Sequence, residues 1–391
     1  YVKNFGTHLL TVMVGQECKS SKYDGLAQTL YGYLPDRGKS IMAPSATVED
    51  INGNLMANRL YNNLTQTVVD RKSNYLSFYG ALTYTYDERY VLNASIRTDA
   101  SNRFGQDKSA RFQPVWSVGL RWNMGREHFL EGQDFLNELS LRATYGYQGN
   151  VVENTGPDLI AYIPSGISRP TGEYLLKIKS LPNPTLRWEK NRNINLGVDF
   201  VFWKNKISGS FEYYYKKGTD IVVNREVPLE NGVVSMPMNG GSMENSGWEL
   251  SLIFAPVRTK NFVWSLGFNT SKNYNEVTST LATNQSWQKA VSGSLNQNGY
   301  PVSAFWAFEL TGLSPENGTP VFNLSGMENN ALAETDATQY MKYMGKMDPD
   351  LSAGMNTSFR YKSLSLSASF NIQVGGKKFL ATMFGADMIN D

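Results

Sequence analysis

The sequence predicts an all-β fold, namely part of an antiparallel transmembrane β-barrel. Two observations lead to this prediction. Many long segments alternate apolar and polar side chains, and the connections between them are alternately tight turns and long loops. Side chains on a strand point to opposite faces in turn, so each segment carries one apolar and one polar stripe. Strands average about 5–6 residues in soluble proteins, whereas strands that cross a membrane need about 9–11.

The alternation is clearest in residues 76–86, where every second residue is apolar, aromatic or glycine. The next segment sets Leu92 and Ile96 on one face against Asn93 and Arg97 on the other. Reading on in this way, we predict about 13 strands, near residues 5–17, 73–86, 89–99, 110–123, 138–148, 189–203, 206–222, 246–256, 261–277, 302–313, 319–326, 351–361 and 364–375.

The connections fall into two populations, which must alternate strictly if every strand crosses the membrane. Short connections are predicted at residues 86–90, 203–206, 257–262 and 361–364, and long ones at 99–110, 149–188, 223–246, 278–300 and 326–349. Alternation holds if residues 314–318 form a turn and 124–137 form a longer connection at the short-turn end. Membrane barrels have short periplasmic turns and longer extracellular loops, so the long connections are expected outside the cell.

The stripes also predict which residues face lipid, because a slip of one residue would bring charges into hydrocarbon. Each Arg or Lys on the lipid face at mid-membrane costs about 2–4 kcal/mol. The residues expected to face lipid are Leu82, Ile96, Trp116, Leu120, Leu196, Phe200, Leu252, Leu266 and Leu366. Those expected to face the lumen are Arg97, Arg121, Arg142, Asp199, Glu212, Glu249 and Arg360, with Asn195 and Asn371.

Composition gives little support to other classes of function. Lys and Arg total 37 against 35 Asp and Glu, and no basic run is interleaved with aromatic residues, so no nucleic-acid partner is expected. Cys18 is the single cysteine, which excludes an internal disulfide. His8 and His128 are far apart in the sequence, and Glu212 and Glu249 are expected to line a lumen. We therefore expect no enzyme activity, catalytic residue, metal site or cofactor.

The strand count predicts that the chain is one part of a larger barrel. About 13 is an odd number, whereas single-chain bacterial barrels have even counts. A strand edge left open in hydrocarbon exposes backbone groups that cost several kcal/mol each. Their sum exceeds the roughly 5–15 kcal/mol that stabilises a whole domain. We therefore expect residues 1–391 to form a partial barrel whose outer strands continue into further chain.

Aromatic residues in or beside the long connections are candidates for contact with a substrate or a partner: Tyr162, Tyr174, Trp287, Tyr300, Phe305 and Trp306. Such rings can stack on sugars or on peptide side chains. The alternative is that they pack the loops together or form the outer aromatic girdle, and this alternative is the more common for such residues.

Several motifs resemble those of the SusC/RagA-type TonB-dependent outer-membrane transporters. The run YLSFYGALTYTYDERYVLNASIRTDASNRFG at residues 75–105 is similar to a mid-barrel strand pair of that family, and FLNELSLRATYGYQGN at 135–150 is similar to another element. NPTLRWEKNRNINLGVDFVFWKNKISGSFEYYYKKGTDIV at 183–222 resembles the family's N-P-x-L-x-W-E strand and the hairpin after it. NGGSMENSGWELSL at 239–252 resembles a further element. The motifs occur in the family's order and cover nearly the whole chain.

The resemblance implies the C-terminal part of a roughly 22-stranded barrel with an N-terminal plug. It implies import of oligosaccharides or peptides across the outer membrane of a Gram-negative bacterium of the Bacteroidetes. The implied partners are a SusD-like surface lipoprotein, docked on the connections 149–188, 223–246 or 278–300, the TonB complex, and outer-membrane lipid. From the resemblance we expect residues 1–391 to be a partial barrel without the family's plug domain, N-terminal extension and last strands. The chain also lacks an Asp-rich D-x-D-G segment, with only MDPDL at 347–351, so calcium is not supported.

Two other functions remain open from the sequence alone. A passive outer-membrane porin has the same alternation of side chains, although the odd strand count and open ends do not suit it. A soluble or surface-attached β-rich binding protein could produce the alternation from a sandwich of two sheets. In a sandwich, the apolar stripes would pack against another sheet.

Overall fold

The computed structural model describes residues 1–28, 33–34, 40–41, 66–102, 112–150, 157–162, 176–280, 285–327 and 336–378. These residues form mainly antiparallel strands, which confirms the predicted all-β class. The chain divides into two compact units, one of residues 1–16 and 77–391 and the other of residues 17–76. In the part of the chain that the structure describes, no helix is long and apolar enough to cross a membrane.

Twelve strands form one antiparallel sheet among the described residues, in the order β1-β2-β5-β6-β7-β8-β11-β12-β13-β14-β19-β20. The order does not return to its start, so the barrel is partial and not closed. The strands are β1 (Val2–Phe5), β2 (His8–Gln28), β3 (Tyr33–Leu34), β4 (Ser40–Ile41), β5 (Gln66–Tyr86), β6 (Tyr90–Ser101), β7 (Gln113–Trp122), β8 (Leu136–Asn150), β9 (Ile160–Tyr162), β10 (Lys177–Ser180), β11 (Glu189–Phe202), β12 (Ile207–Glu226), β13 (Ser235–Arg258), β14 (Phe262–Ser279), β15 (Ala304–Ala307), β16 (Glu309–Leu313), β17 (Pro320–Asn323), β18 (Lys342–Lys346), β19 (Leu351–Tyr361) and β20 (Leu364–Val374).

The register of the sheet separates an apolar face from a polar face. One row of directly paired residues runs through Leu120, Ala143, Leu196, Tyr213 and Trp248. The neighbouring row lies one residue further along each strand. Apart from Gly197, its residues are polar or charged. All the residues predicted to face lipid lie on the apolar face: Leu82, Ile96, Trp116, Leu120, Leu196, Phe200, Leu252, Leu266 and Leu366.

The apolar face is uncovered in the structure. Leu120, Leu196 and Leu366 are 58%, 49% and 69% exposed. Exposed leucines on a continuous apolar sheet face are expected where lipid is the solvent, and a sandwich would bury them. The apolar stripes are not packed against a second sheet anywhere in the described ranges, which argues against the sandwich alternative.

Short and long connections alternate along the sheet, as predicted. The turns after β5, β11, β13 and β19 and the longer connection after β7 share one end with the turn between β1 and β2. Tight reversal there requires positive φ, which Asp87 (49°), Glu88 (51°) and Lys362 (53°) adopt. Two successive residues with positive φ make the type I′ turn that suits the twist of a hairpin. The sequence predicts a helical turn or two within residues 124–137, and the connection after β7 contains a 3₁₀ helix at Met124–Arg126.

Two strand predictions are wrong. The predicted strands 302–313 and 319–326 are not in the large sheet, which has 12 strands rather than about 13. Instead β15 pairs with β18 and β16 pairs with β17, as two small sheets within the connection between β14 and β19. The reason is that residues 304–308 are continuously apolar and pack within this connection, so they have no polar face.

The first predicted strand, residues 5–17, lies mostly within β2, but the sequence does not predict the separate strand β1. Residues 5–17 do not form one strand, because the chain reverses between β1 and β2 at Gly6, where φ is +73°. Glycine has no Cβ and so adopts positive φ at little cost. The sequence also predicts a short helix near residues 48–60, and these residues lie outside the described ones.

Candidate functional site

The polar face of the sheet carries a gradient of charge from one strand to the next. One row of directly paired residues contains Arg121 on β7 and Arg142 on β8, then Gly197 on β11, then Glu212 on β12 and Glu249 on β13. The row ends in uncharged polar residues, Ser271, Ser352 and Gln373. This row is therefore basic on β7 and β8 and acidic on β12 and β13.

Arg142 joins three strands into one ion-pair network. Its Nε lies 2.9 Å from Oδ2 of Asp199 on β11. Its Nη2 donates to Oδ1 of Asp199 at 3.0 Å and to Oε1 of Glu212 at 2.7 Å. The other oxygen of Glu212 accepts a hydrogen bond from Nδ2 of Asn195 at 3.2 Å. Charge-assisted bonds of this kind are stronger than neutral ones, so this network fixes the carboxylates of β11 and β12.

Gly197 makes the reach of Arg142 possible. Glu212 is two strands away from Arg142, and Gly197 stands between them in the same row. A Cβ on Gly197 would lie 3.1 Å from Nη2 of Arg142, closer than ordinary contact. The guanidinium therefore occupies the space that any other side chain would fill. Sequence reasoning did not identify Gly197, because its role appears only once the register is known.

Glu249 differs from its neighbour Glu212 although the two are directly paired. Among the described residues, Glu249 is exposed and forms no ion pair. A groove of about 540 Å³ on the polar face is lined by Glu212 and Glu249 and by serine, threonine and asparagine residues of β12, β13, β14, β19 and β20. Leu250, Ala353 and Gly354 complete the lining of this open groove, which contains one unneutralised carboxylate.

The other predicted lumen-facing residues lie on the same polar face but apart from the network. Arg97 donates to both carboxylate oxygens of Asp99, at 2.8 and 3.1 Å, and to Ser77. Arg121 pairs with Glu138 at 2.9 Å, and Arg360 is exposed near the end of β19. Asn371 lines the groove. The structure thus brings together Arg142, Asp199 and Glu212 from the predicted set, and the assignment of this face to a lumen stays a prediction.

The connection between β14 and β19 contains a small hydrophobic core of its own. It includes a short helix, α1 (Trp287–Val291), whose N-cap Ser286 accepts a hydrogen bond from the amide of Lys289. The buried residues of this core are Ala290, Leu295, Ala304, Trp306, Ala337, Tyr340 and Met341. Backbone hydrogen bonds between Tyr300 and Val277, and between Gly299 and Val277, attach the segment to the end of β14. We call residues 285–327 and 336–347 the outer module.

Three of the six predicted contact aromatics belong to this core or pack against it. Trp306 is 4% exposed, and its ring centre lies 5.0 Å from Tyr300 and 5.6 Å from Tyr343. Trp287 packs against Phe308 at 6.2 Å. The packing alternative is therefore favoured for Trp287, Tyr300 and Trp306. Phe305 is half-buried beside them on β15.

The two other predicted contact residues lie in the connection between β8 and β11. Tyr162 ends β9 and pairs with Lys177 of β10. Tyr174 lies outside the described residues.

The N-P-x-L-x-W-E motif holds the outer part of the β12–β13 hairpin. Asn239 accepts a hydrogen bond from the amide of Arg187 at 3.0 Å and donates to the carbonyls of Arg187 and Asp220 at 2.9 and 2.7 Å. Arg187 in turn pairs with Asp220 at 2.6 Å. Asn183 donates to the carbonyl of Pro237 at 3.0 Å. Sequence reasoning recognised the motif but did not identify this network.

The prediction of no metal or cofactor has no direct test in the structure. In the described ranges, no group of three or more His, Cys, Asp or Glu side chains is arranged to hold a metal ion. The expectation about cofactors therefore stays a prediction.

Comparison with known proteins identifies the family. A family described as "TonB dependent receptor-like, beta-barrel" matches residues 21–385, which is nearly the whole chain. The chain belongs to this family. It is therefore an outer-membrane β-barrel protein of the TonB-dependent receptor type, and the SusC/RagA resemblance of its motifs is confirmed.

Curated relatives support the same assignment. The TonB-dependent receptor SusC of Bacteroides thetaiotaomicron is 30% identical over 78% of this chain and 32% of its own length. The TonB-dependent receptor P3 of Formosa agariphila is 25% identical over 100% of this chain and 40% of its own length. The chain thus spans 40% or less of these two relatives. Both are receptors rather than enzymes, and barrels of this type are outer-membrane proteins of Bacteroidetes.

Solved structures show the same fold. The RagAB peptide importer in its closed–closed state matches with a TM-score of 0.74 and 23% identity, over 96% of this chain and 40% of that one. The Escherichia coli outer-membrane transporter YddB matches with a TM-score of 0.53 and 11% identity, over 100% of this chain and 43% of that one. At these identities the likeness shows the fold alone.

Proposed function

We propose that the chain forms barrel wall and outer loops of a SusC/RagA-type importer, which takes up oligosaccharides or peptides across the outer membrane by TonB-dependent energy coupling. The observation that carries this proposal is the match of residues 21–385 to the TonB-dependent receptor barrel. The sheet adds a physical reason. Its apolar face is suited to lipid, and its polar face, with the Arg142 network and the groove beside Glu249, is suited to a hydrated interior.

The outer module and the connection that includes β9 and β10 are the proposed contact surface for a SusD-like lipoprotein. Both lie at the end of the sheet where the long connections meet. The hairpin of β16 and β17 exposes Leu310, Leu313, Val321 and Phe322, which are side chains available to a protein partner. Trp306 and Tyr300 act in this proposal as the support of that hairpin, not as direct contacts.

Uptake by living cells tests the proposed function. The gene that carries this chain is deleted, and growth is measured on single oligosaccharides and on defined peptides as the nutrient. We expect loss of growth on one of the two classes, restored by the wild-type gene. Growth of the deletion strain equal to wild type on every member of both panels would contradict import of these substrates.

Energy dependence separates an importer from a porin. Uptake of the labelled substrate is followed in the wild type before and after a protonophore, and in a strain without TonB. An importer loses concentrative uptake in both conditions, because the energy reaches the outer membrane through TonB. A passive porin keeps the same initial rate of entry down a gradient, and that result would support the alternative.

A further inference from the structure

Three consecutive hairpin turns of the sheet are strongly basic. The segments 202–207, 257–262 and 361–364 join β11 to β12, β13 to β14 and β19 to β20, and they contain five basic and no acidic residues. We call these five residues the basic rim: Lys204, Lys206, Arg258, Lys260 and Lys362. All five are exposed, and none forms an ion pair within the described part of the chain.

The three turns form one continuous edge. The amide of Ala255 donates to the carbonyl of Lys206 at 2.7 Å, and the amide of Lys362 donates to the carbonyl of Asn261 at 2.8 Å. Each turn is therefore hydrogen-bonded to the next strand or turn. The positive charges are held side by side by the backbone, not scattered along flexible loops.

The remaining connections at the same end have the opposite charge balance. Arg89 pairs with Asp87 at 3.1 Å and with Glu127 at 3.5 Å. Arg126 pairs with Glu88, and His128 lies 3.1 Å from Glu131. Both arginines of this half are thus neutralised by carboxylates. The unneutralised positive charge of this end is concentrated in the basic rim.

Aromatic residues place the basic rim at the level of a membrane interface. Trp203 and Tyr361 are exposed beside it. Phe202 stacks with Phe200 at 5.3 Å, and Trp264 stacks with Phe359 at 5.5 Å, where the apolar face ends. Girdles of aromatic residues mark the two interfaces of a membrane barrel. Side chains that begin at this girdle and end in a cation reach the head groups of the adjacent leaflet.

We propose that the basic rim binds the phosphate groups of anionic phospholipids in the leaflet beside the short turns. The proposal rests on the proposed function in one respect, namely that this barrel end lies at the periplasmic interface. Lysine and arginine are the usual partners of phosphate, and clusters of them next to a membrane attract anionic lipid. Five exposed cations without acidic partners, adjoining a lipid-facing surface, meet both conditions.

Native mass spectrometry of the detergent-solubilised full-length protein tests the proposal. The protein is titrated with phosphatidylglycerol or with phosphatidylcholine, and the retained lipids are counted. We expect wild type to retain phosphatidylglycerol at least about tenfold more tightly than phosphatidylcholine. The variant K206Q/K260Q/K362Q, with one change in each turn, should lose this preference. Added salt should reduce the preference of wild type, because exposed charges are screened.

The matched control removes the same charge at the other end of the sheet. K177Q/K179Q/R225Q changes three exposed basic residues of β10 and β12, and it should keep the wild-type preference. Equal retention of phosphatidylglycerol by wild type and the basic-rim variant would overturn the proposal. Equal retention of phosphatidylglycerol and phosphatidylcholine by the wild type would also overturn it. Binding of an acidic protein to the turns would not rescue the proposal in that case.

A labelling experiment separates this proposal from the barrel orientation on which it rests. Lys260→Cys is introduced with Cys18→Ser, and intact cells are treated with a membrane-impermeant maleimide. A periplasmic turn stays unlabelled until the outer membrane is opened. Labelling of intact cells would reject the orientation, and with it the leaflet assigned to the lipid. The lipid titration measures the head-group preference of the purified protein. Its result therefore does not depend on whether the protein imports a substrate.

Discussion

At the scale of the residue, one arginine and one glycine determine how the charges of three strands are paired. Arg142 contacts carboxylates on β11 and β12, and Gly197 leaves the space between them open. Both Arg142 and Glu212 are 31% exposed at the side chain, so water weakens the pair without abolishing it. The directly paired Glu249 has no such cation among the described residues. Glu212 is therefore expected to contribute more to the stability of the fold than Glu249, although the two lie in the same row.

Replacement of the two glutamates tests this difference. Glu212→Gln keeps an acceptor for Asn195 but removes the charge that Arg142 contacts, so we expect a loss of about 1–2 kcal/mol in the free energy of unfolding. Glu249→Gln is the matched control and should change that free energy by less than about 0.5 kcal/mol. The measurement is denaturant unfolding of the purified protein in lipid. Equal losses for the two variants would show that the Arg142 network has no special weight.

At the scale of the element, the hairpin of β12 and β13 depends on a preceding loop. Asn239 ties Arg187 and Asp220 together with three hydrogen bonds. Asn239→Ala leaves these backbone groups without partners, at a cost of about 1–3 kcal/mol. We expect amide hydrogen exchange at Arg187 to accelerate at least about tenfold, because 1.4 kcal/mol corresponds to a factor of ten.

Asn231→Ala is the control for the hairpin. Asn231 is exposed, and its side chain makes one hydrogen bond, to the carbonyl of Pro228. Its replacement should leave the exchange of the Arg187 amide unchanged. If both variants behaved alike, the motif would have no anchoring role.

The outer module should unfold locally without loss of the barrel. Trp306→Ala removes the largest side chain from a small core, and such changes cost about 3–5 kcal/mol. We expect rapid proteolysis within residues 285–347, while the heat-modifiable gel mobility of the barrel is kept. Leu313→Ala, on the exposed hairpin, is the control and should resist the protease like wild type. Loss of barrel assembly in the Trp306 variant would mean that the outer module is needed for folding.

Acid should loosen the hairpin of β16 and β17. The pKa of Glu309 is lowered from its ordinary 4.5 by hydrogen bonds from Lys342 and then Asn323. A lowered pKa means that the contact stabilises the folded form above pH 4.5 and is lost as the pH falls through the lowered value. We expect amide exchange in β16 and β17, corrected for its intrinsic pH dependence, to rise only below pH 4.5. The variant Glu309→Gln should show no such rise in exchange. A rise in that variant would mean that protonation of a group other than Glu309 causes it.

Sequence patterns predicted the strands of the large sheet that alternate regularly. They missed the small sheets of the outer module and the contacts that depend on pairing register, for physical reasons. Period-two alternation located β6, β7, β11 and β12, because one face must be apolar and the other polar throughout. The same signal failed at residues 302–326, where Ala304 and Trp306 on one face of β15 are buried in a local core and Phe305 and Ala307 on the other face are half-buried. Pairing register is a long-range property, so the space above Gly197 and the burial of Trp306 had no local signal.

At the scale of the whole molecule, the described residues form an open sheet of twelve strands, whose two edge strands are β1 and β20. Closed barrels have no edges, and in lipid an unpaired edge is prohibitively costly. The match to about two fifths of longer relatives agrees with a wall that further strands complete. The plug, the remaining strands and the SusD-like partner are part of the proposal for the whole protein.

The central claim is that the apolar face of this sheet meets lipid and the polar face meets water. Spin labels at alternate positions of β11 test it directly in the full-length protein assembled in membranes, with Cys18→Ser as background. Labels at Ile194, Leu196 and Val198 should be relaxed by oxygen, which concentrates in lipid, and labels at Asn193 and Asn195 by a water-soluble nickel complex. Strong relaxation by the nickel complex at all five positions, or an inverted alternation, would contradict the account.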